Sequence, residues 1–136
     1  IEERNVKLIY NRTYSLLNCA YAAVVTSGTA TLEAALFNLP EVVCYKANAL
    51  SFLIGKYLAK VRFISLVNLI LNAPVVVELL QKDWNEQCLE KEFRRISFDE
   101  NYRIQMQYMF GKLRTILGNA GASANVAKYI IGDLER

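Results

Sequence analysis

Apolar residues in this chain recur with two different periods, and the changes of period mark out its elements. Ala22-Ala23-Val24-Val25-Thr26 is an unbroken, mostly apolar run that stops at Ser27-Gly28-Thr29. Leu32, Ala35, Leu36 and Leu39 then follow at the spacing of one helical face. The run predicts a buried strand from Ala22 to Thr26, and the recurrence predicts a helix from Ala30 to Asn38. Pro40 ends that helix, and Glu41 to Lys46, with Val42-Val43-Cys44-Tyr45 at its centre, reads as the next strand. Upstream, Val6 to Tyr10 is read as a short strand and Tyr14 to Ala20 as a helix. Downstream, Leu50, Leu53, Ile54, Tyr57, Leu58 and Val61 share a helix face, and Arg62 to Leu66 is expected to be a fourth strand.

Beyond Pro74 the pattern turns helical. Val75 to Gln81 is expected to form a short helix. Leu89, Phe93 and Ile96 mark another, with Asn85 at its cap. Tyr102, Met106, Met109, Phe110, Leu113, Ile116 and Leu117 form a long stripe of core residues. A last helix is expected to start at Ser123, with Val126, Ala127, Ile130, Ile131 and Leu134 as its apolar face. Strands alternating with helices at this spacing predict a Rossmann-like parallel sheet flanked by helices, an α/β fold with a helical C-terminal part.

Length and composition narrow the picture. A chain of 136 residues with 54% hydrophobic content makes one domain, 1–136, with a substantial core. A net charge of +3, scattered along the chain, gives no nucleic-acid footprint. The absence of histidine excludes Ser-His-Asp and Cys-His chemistry and the usual zinc sets from this chain. Cys19, Cys44 and Cys88, odd in number and widely spaced, read as small core residues of a reducing compartment. The run from Ser65 to Leu80 carries Asn68, Asn72, Pro74 and Glu78 and cannot span a bilayer. The opening Ile-Glu-Glu-Arg-Asn has neither an initiating methionine nor a signal-peptide pattern, so a fragment of a longer protein is expected.

The chemistry concentrates where the strand Ala22–Thr26 meets the helix after it. Gly28 permits a tight turn there, and the first N–H groups of the helix have no internal partner. The helix dipole favours negative charge at that end, and Ser27, Thr29 and Thr31 add hydroxyls. This is how a phosphate pocket is built, although Thr29 fits equally well as an ordinary N-cap. In open parallel sheets ligands bind outside the carboxyl ends of the strands. Lys46 and Asn68 follow predicted strands, so they and Glu33 are further candidates: Lys46 for phosphate, Asn68 for a base or sugar, Glu33 for ribose hydroxyls. Glu33 also fits as a first-turn acid, Lys46 as a solvated strand end and Asn68 as a turn residue. Glu78 and Gln81 are expected to share one helix face, turned either to a cleft or to water. Phe52, Lys56, Lys60, Arg62 and Phe63 suggest contact with a lipid surface, with an ordinary surface helix as the plainer alternative.

Ser27-Gly28-Thr29-Ala30-Thr31-Leu32-Glu33, followed by Val42-Val43-Cys44-Tyr45-Lys46, resembles the carboxyl-terminal half of lipid-A-disaccharide synthases. The likeness continues through Leu58-Ala59-Lys60-Val61, Ile64-Ser65-Leu66-Val67-Asn68-Leu69 and Glu78-Leu79-Leu80-Gln81, and closes at Leu117-Gly118 and Gly121-Ala122-Ser123. The resemblance implies an inverting glycosyltransferase of the two-Rossmann-domain type, joining UDP-2,3-diacylglucosamine to 2,3-diacylglucosamine 1-phosphate and releasing UDP. It implies no metal or organic cofactor, and a place at the cytoplasmic face of the inner membrane of Gram-negative bacteria. The UDP diphosphate would meet Ser27, Gly28, Thr29 and Thr31, while Glu33, Lys46, Asn68, Glu78 and Gln81 would contribute further donor contacts. The lipid acceptor and the general base would belong to a preceding domain, leaving no catalytic residue in this chain. Without that domain the fragment should be inactive and prone to self-association. Three positions depart from the common family pattern: Lys46 replaces an arginine, and Val67 and Val77 replace prolines. Two other readings stay open, an epimerase-like UDP-sugar enzyme and a non-catalytic Rossmann-like module that binds a partner.

Overall fold

A computed structural model describes residues 6–46, 62–118 and 121–134. Three strands, β1 (Ala23–Thr26), β2 (Glu41–Tyr45) and β3 (Val77–Leu80), form a parallel sheet in that order. Val24 pairs with Val42, and Val42 in turn with Val77, so β2 is central. Its Val42 and Val43 are fully buried. A strand covered on both faces needs apolar residues on both, which is why this segment reads as a continuous run and not an alternation. The fold is α/β and Rossmann-like, as the alternation of patterns predicts.

Helix α1 (Thr13–Cys19) precedes β1, α2 (Thr29–Leu36) joins β1 to β2, and α3 (Leu66–Leu71) lies between β2 and β3. A 3₁₀ turn (Gln81–Asp83) then leads to α4 (Glu86–Phe98), α5 (Glu100–Leu117) and α6 (Ala122–Leu134). Asn85 caps α4 by accepting from the Cys88 N–H at 2.9 Å, as its sequence position suggests. Ile96 of α4 and Met106, Phe110 and Leu113 of α5 pack with Ala35, Val42, Val43, Val67 and Val76 into one core. Polar groups of α5 also grip the entry to the sheet. Arg114 donates to the Leu36 carbonyl through Nε and Nη2, and Gln107 to that of Asn38. Those carbonyls lie at and just beyond the C-terminal end of α2, where they lack helical partners.

Several elements differ from the expectation. Val6 to Tyr10 is not a strand; Val6, Leu8, Ile9 and Tyr10 are exposed and make no ladder among the described residues. Arg62 to Leu66 is not a strand either. Ser65 accepts from the Asn68 N–H and caps α3, so Leu66 opens a helix. The third strand is instead Val77–Leu80, where a short helix was expected. An apolar run this short fits either period, and the β-branched Val75-Val76-Val77 favours extended backbone. Glu78 and Gln81 therefore do not share a helix face. The last helix begins at Ala122, which places Ser123 inside its first turn. Ile116 and Leu117 are exposed at the end of the α5 stripe, and so are Val126, Ile130 and Ile131 of α6. Cys44 is buried, but Cys19 is exposed and does not belong to the core. The helix read from Leu50 to Val61, with its lipid-contact residues Phe52, Lys56 and Lys60, lies outside the described residues. No helix among the described residues is long and apolar enough to cross a membrane.

Candidate functional site

Because the three strands are parallel, their carboxyl ends lie along one edge of the sheet. Thr26 pairs with Cys44, and Tyr45 with Leu80, so Ser27, Lys46 and Gln81 each leave the sheet at this edge. Neighbouring strands stand about 4.8 Å apart, so the three residues fall within the span of one small ligand. Lys46 is exposed. Gln81 holds a left-handed backbone (φ 50), and its amide nitrogen is buried without a hydrogen-bond partner among the described residues. A buried amide nitrogen without a partner and a left-handed backbone at a residue other than glycine each cost free energy.

The corner itself is built around Gly28. The Ser27 N–H donates to the Cys44 carbonyl at 3.0 Å, continuing the β1–β2 ladder one residue past the strand. Gly28 then takes φ 154 and ψ −163, a region essentially reserved for glycine, and caps α2 with no side chain. Thr29 is therefore the first helical residue and not the N-cap. Among the described residues, no atom beyond its chain neighbours lies within 4 Å of where a Gly28 Cβ would stand. Thr31 is fully buried, and its hydroxyl donates to the Gly28 carbonyl at 2.8 Å. It locks the turn from behind. Of the other two hydroxyl residues, Thr29 is exposed, while Ser27 is half-buried and its hydroxyl points to the Ile64 carbonyl at 3.4 Å.

Glu33, one turn further into α2, lines a groove with Asn11, Arg12, Tyr14 and Ser15. Sequence reasoning did not bring these four to Glu33; Tyr14 of α1 stacks on Phe37, just past α2, with ring centroids 5.6 Å apart. Asn68 and Glu78 sit differently. Asn68 is buried and its amide is fully occupied: Oδ1 accepts from the Val75 and Val76 N–H groups, while Nδ2 donates to Val76 O and Glu78 Oε1. Glu78 Oε2 accepts from the Ile64 N–H and Oε1 from that of Ser65, each at 2.9 Å. Both lie beside the edge, bonded to the protein itself.

Among the described residues no cluster of histidine, cysteine and carboxylate side chains could hold a metal ion. Burial pushes the Cys44 thiol up to about 11, so it stays protonated near neutral pH and is no nucleophile. The other strongly perturbed group is Glu41, which burial raises to about 9, and it opens β2 at the opposite end of the strand from Lys46.

Known proteins match this chain along nearly its whole length. The family model described as lipid-A-disaccharide synthetase matches residues 2–126. A lipid-A-disaccharide synthase of Coxiella burnetii is 42% identical over 125 residues, covering 92% of this chain and 33% of that protein. Those of Nitrosococcus oceani (38% over 130 residues) and Syntrophus aciditrophicus (42% over 122 residues) cover 96% and 90% of this chain. The chain spans about a third of the length of these relatives. With the match running through the corner, the carboxyl edge and the helices behind it, the chain belongs to the lipid-A-disaccharide synthetase family.

Proposed function

We propose that this chain is the donor-nucleotide half of a glycosyltransferase that joins UDP-2,3-diacylglucosamine to 2,3-diacylglucosamine 1-phosphate. The observation that carries the proposal is the corner at Gly28. There a helix of eight residues opens at a glycine with no side-chain cap and, among the described residues, open space above its backbone. Its first N–H groups and the positive end of its dipole suit the diphosphate of UDP. When the sugar C1–O bond breaks, negative charge grows on the departing β-phosphate, and the same groups stabilise it in place. Lys46 adds a positive charge at the edge, as a point charge where an arginine would give a bidentate contact. Glu33 suits the ribose hydroxyls, and the unpartnered Gln81 amide suits an acceptor atom of the base or sugar.

The remaining two thirds of such an enzyme would hold the acceptor and supply the base, so this chain alone turns nothing over. Contact with a lipid surface at the cytoplasmic face of the inner membrane, and self-association of the isolated chain, belong to the same proposal. Calorimetry on the chain with UDP, UMP and uridine tests it. Affinity should fall in that order, because the corner holds phosphate. Equal binding of uridine and UDP, or none of either, would remove the support for a diphosphate site.

A further inference from the structure

The segment from Arg62 to Ser65 has no regular structure of its own, yet Ser65 is fully buried and the segment lies between two parts of the edge. On one side Glu78 of β3 takes its Ile64 and Ser65 N–H groups, each at 2.9 Å. On the other, the Ile64 carbonyl faces the Ser27 hydroxyl at 3.4 Å, a long contact that still sets the two side by side. Glu78 also accepts from Asn68 Nδ2, whose amide is otherwise filled by Val75 and Val76.

We infer that Glu78 is a positioning residue for the anion corner. Its carboxylate fixes the Ile64–Ser65 backbone and, through the Ile64 carbonyl, the Ser27 hydroxyl beside the start of α2. Asn68 braces Glu78 and touches no ligand. The functional meaning of this rests on the nucleotide reading of the corner; the geometry does not. Three N–H donors converge on Glu78, so the group there must be acceptor only. Glutamine, equal in size, would turn an NH₂ towards at least one of those donors and release part of the segment. All of the Asn68 amide is bonded within the protein, and three of the roughly four acceptor sites of the Glu78 carboxylate are taken by protein N–H groups, so both residues are committed chiefly to the chain itself.

Two readouts on the 136-residue chain test the inference. In ligand-free chain, Glu78→Gln should lower hydrogen-exchange protection of the Ile64 and Ser65 amides about tenfold or more, while Val43 in β2 keeps its own. In UDP affinity, Ser27→Ala and Glu78→Gln should each weaken binding, and the double variant should bind no worse than the weaker single one. Unchanged protection at Ile64 and Ser65 overturns the inference. So do additive losses of affinity, which would mean that Glu78 acts on the nucleotide independently of Ser27. Should Glu78→Gln fail to fold, Glu78→Asp, which keeps an acceptor but shortens its reach, takes its place in both measurements. A wild-type chain that binds no UDP counts against the nucleotide reading, and the exchange result then decides the positioning role by itself.

Discussion

Gly28 and Gly111 show how one residue type serves opposite ends. Both have open space where a Cβ would stand, but only Gly28 holds a backbone that L-residues avoid. Gly28→Ala should therefore destabilise the chain by about 1–3 kcal/mol through backbone strain alone, or shift the corner and weaken nucleotide binding. Gly111→Ala, inside α5, should stabilise it by about 0.5–1 kcal/mol. Urea denaturation of the two variants reads both signs. Glu41 is the other residue whose setting decides its behaviour. It is fully buried, and neither oxygen has a partner among the described residues. Its carboxyl is raised from 4.5 to about 9, so it is neutral in the folded chain at neutral pH and ionised in the unfolded one. Between those two values the folded state holds the extra proton, and stability should fall as pH rises, by up to about 1.4 kcal/mol per pH unit. Below the window the acid is protonated in both states; above it, ionised in both. Glu41→Gln should flatten this slope in denaturation midpoints taken from pH 5 to pH 9. An unchanged slope would mean that the carboxyl finds a partner. The sequence places Glu41 in a strand but gives no sign of its burial, since that depends on the helices that cover β2.

Among the elements, legibility followed length and local chemistry. The α5 stripe and the Asn85 cap were readable because a helix of 18 residues repeats its pattern several times and a cap is set by its neighbours. The strand-to-helix corner at Ser27–Thr29 was readable for the same reason, as an abrupt change of period at a glycine. Val77–Leu80 was not, because four apolar-rich residues fit either period and only pairing with β2 decides between them. The consequence for the site is direct. Read as a helix, Glu78 and Gln81 were neighbours on one face; as a strand end, Glu78 braces the segment 62–65 while Gln81 sits at the open edge. Behind the sheet, α5 holds the structure together through Phe110, which is fully buried against the core. Phe110→Ala should cost about 3–5 kcal/mol in chemical denaturation, enough to unfold much of a marginally stable domain. A loss under 1 kcal/mol would mean that α5 contributes little to the core.

At the scale of the whole molecule, the chain matches about a third of the length of its relatives. The centre of the sheet and the Met106–Phe110–Leu113 stripe of α5 are buried, whereas Val126, Tyr129, Ile130 and Ile131 of α6 remain exposed. Family membership was legible in blocks such as Ser27–Glu33 and Glu78–Gln81, each weak alone and specific in order. What no block carried was that Asn68 and Glu78 are bonded within the protein itself. The measurement that tests the account most directly is a UDP titration of the chain followed by backbone amide NMR, with ADP as control. Saturable shifts are expected, centred on Ser27 to Ala30, with smaller ones at Lys46 and Gln81, and with UDP preferred over ADP. Shifts spread evenly over the surface, or none at millimolar UDP, would contradict it.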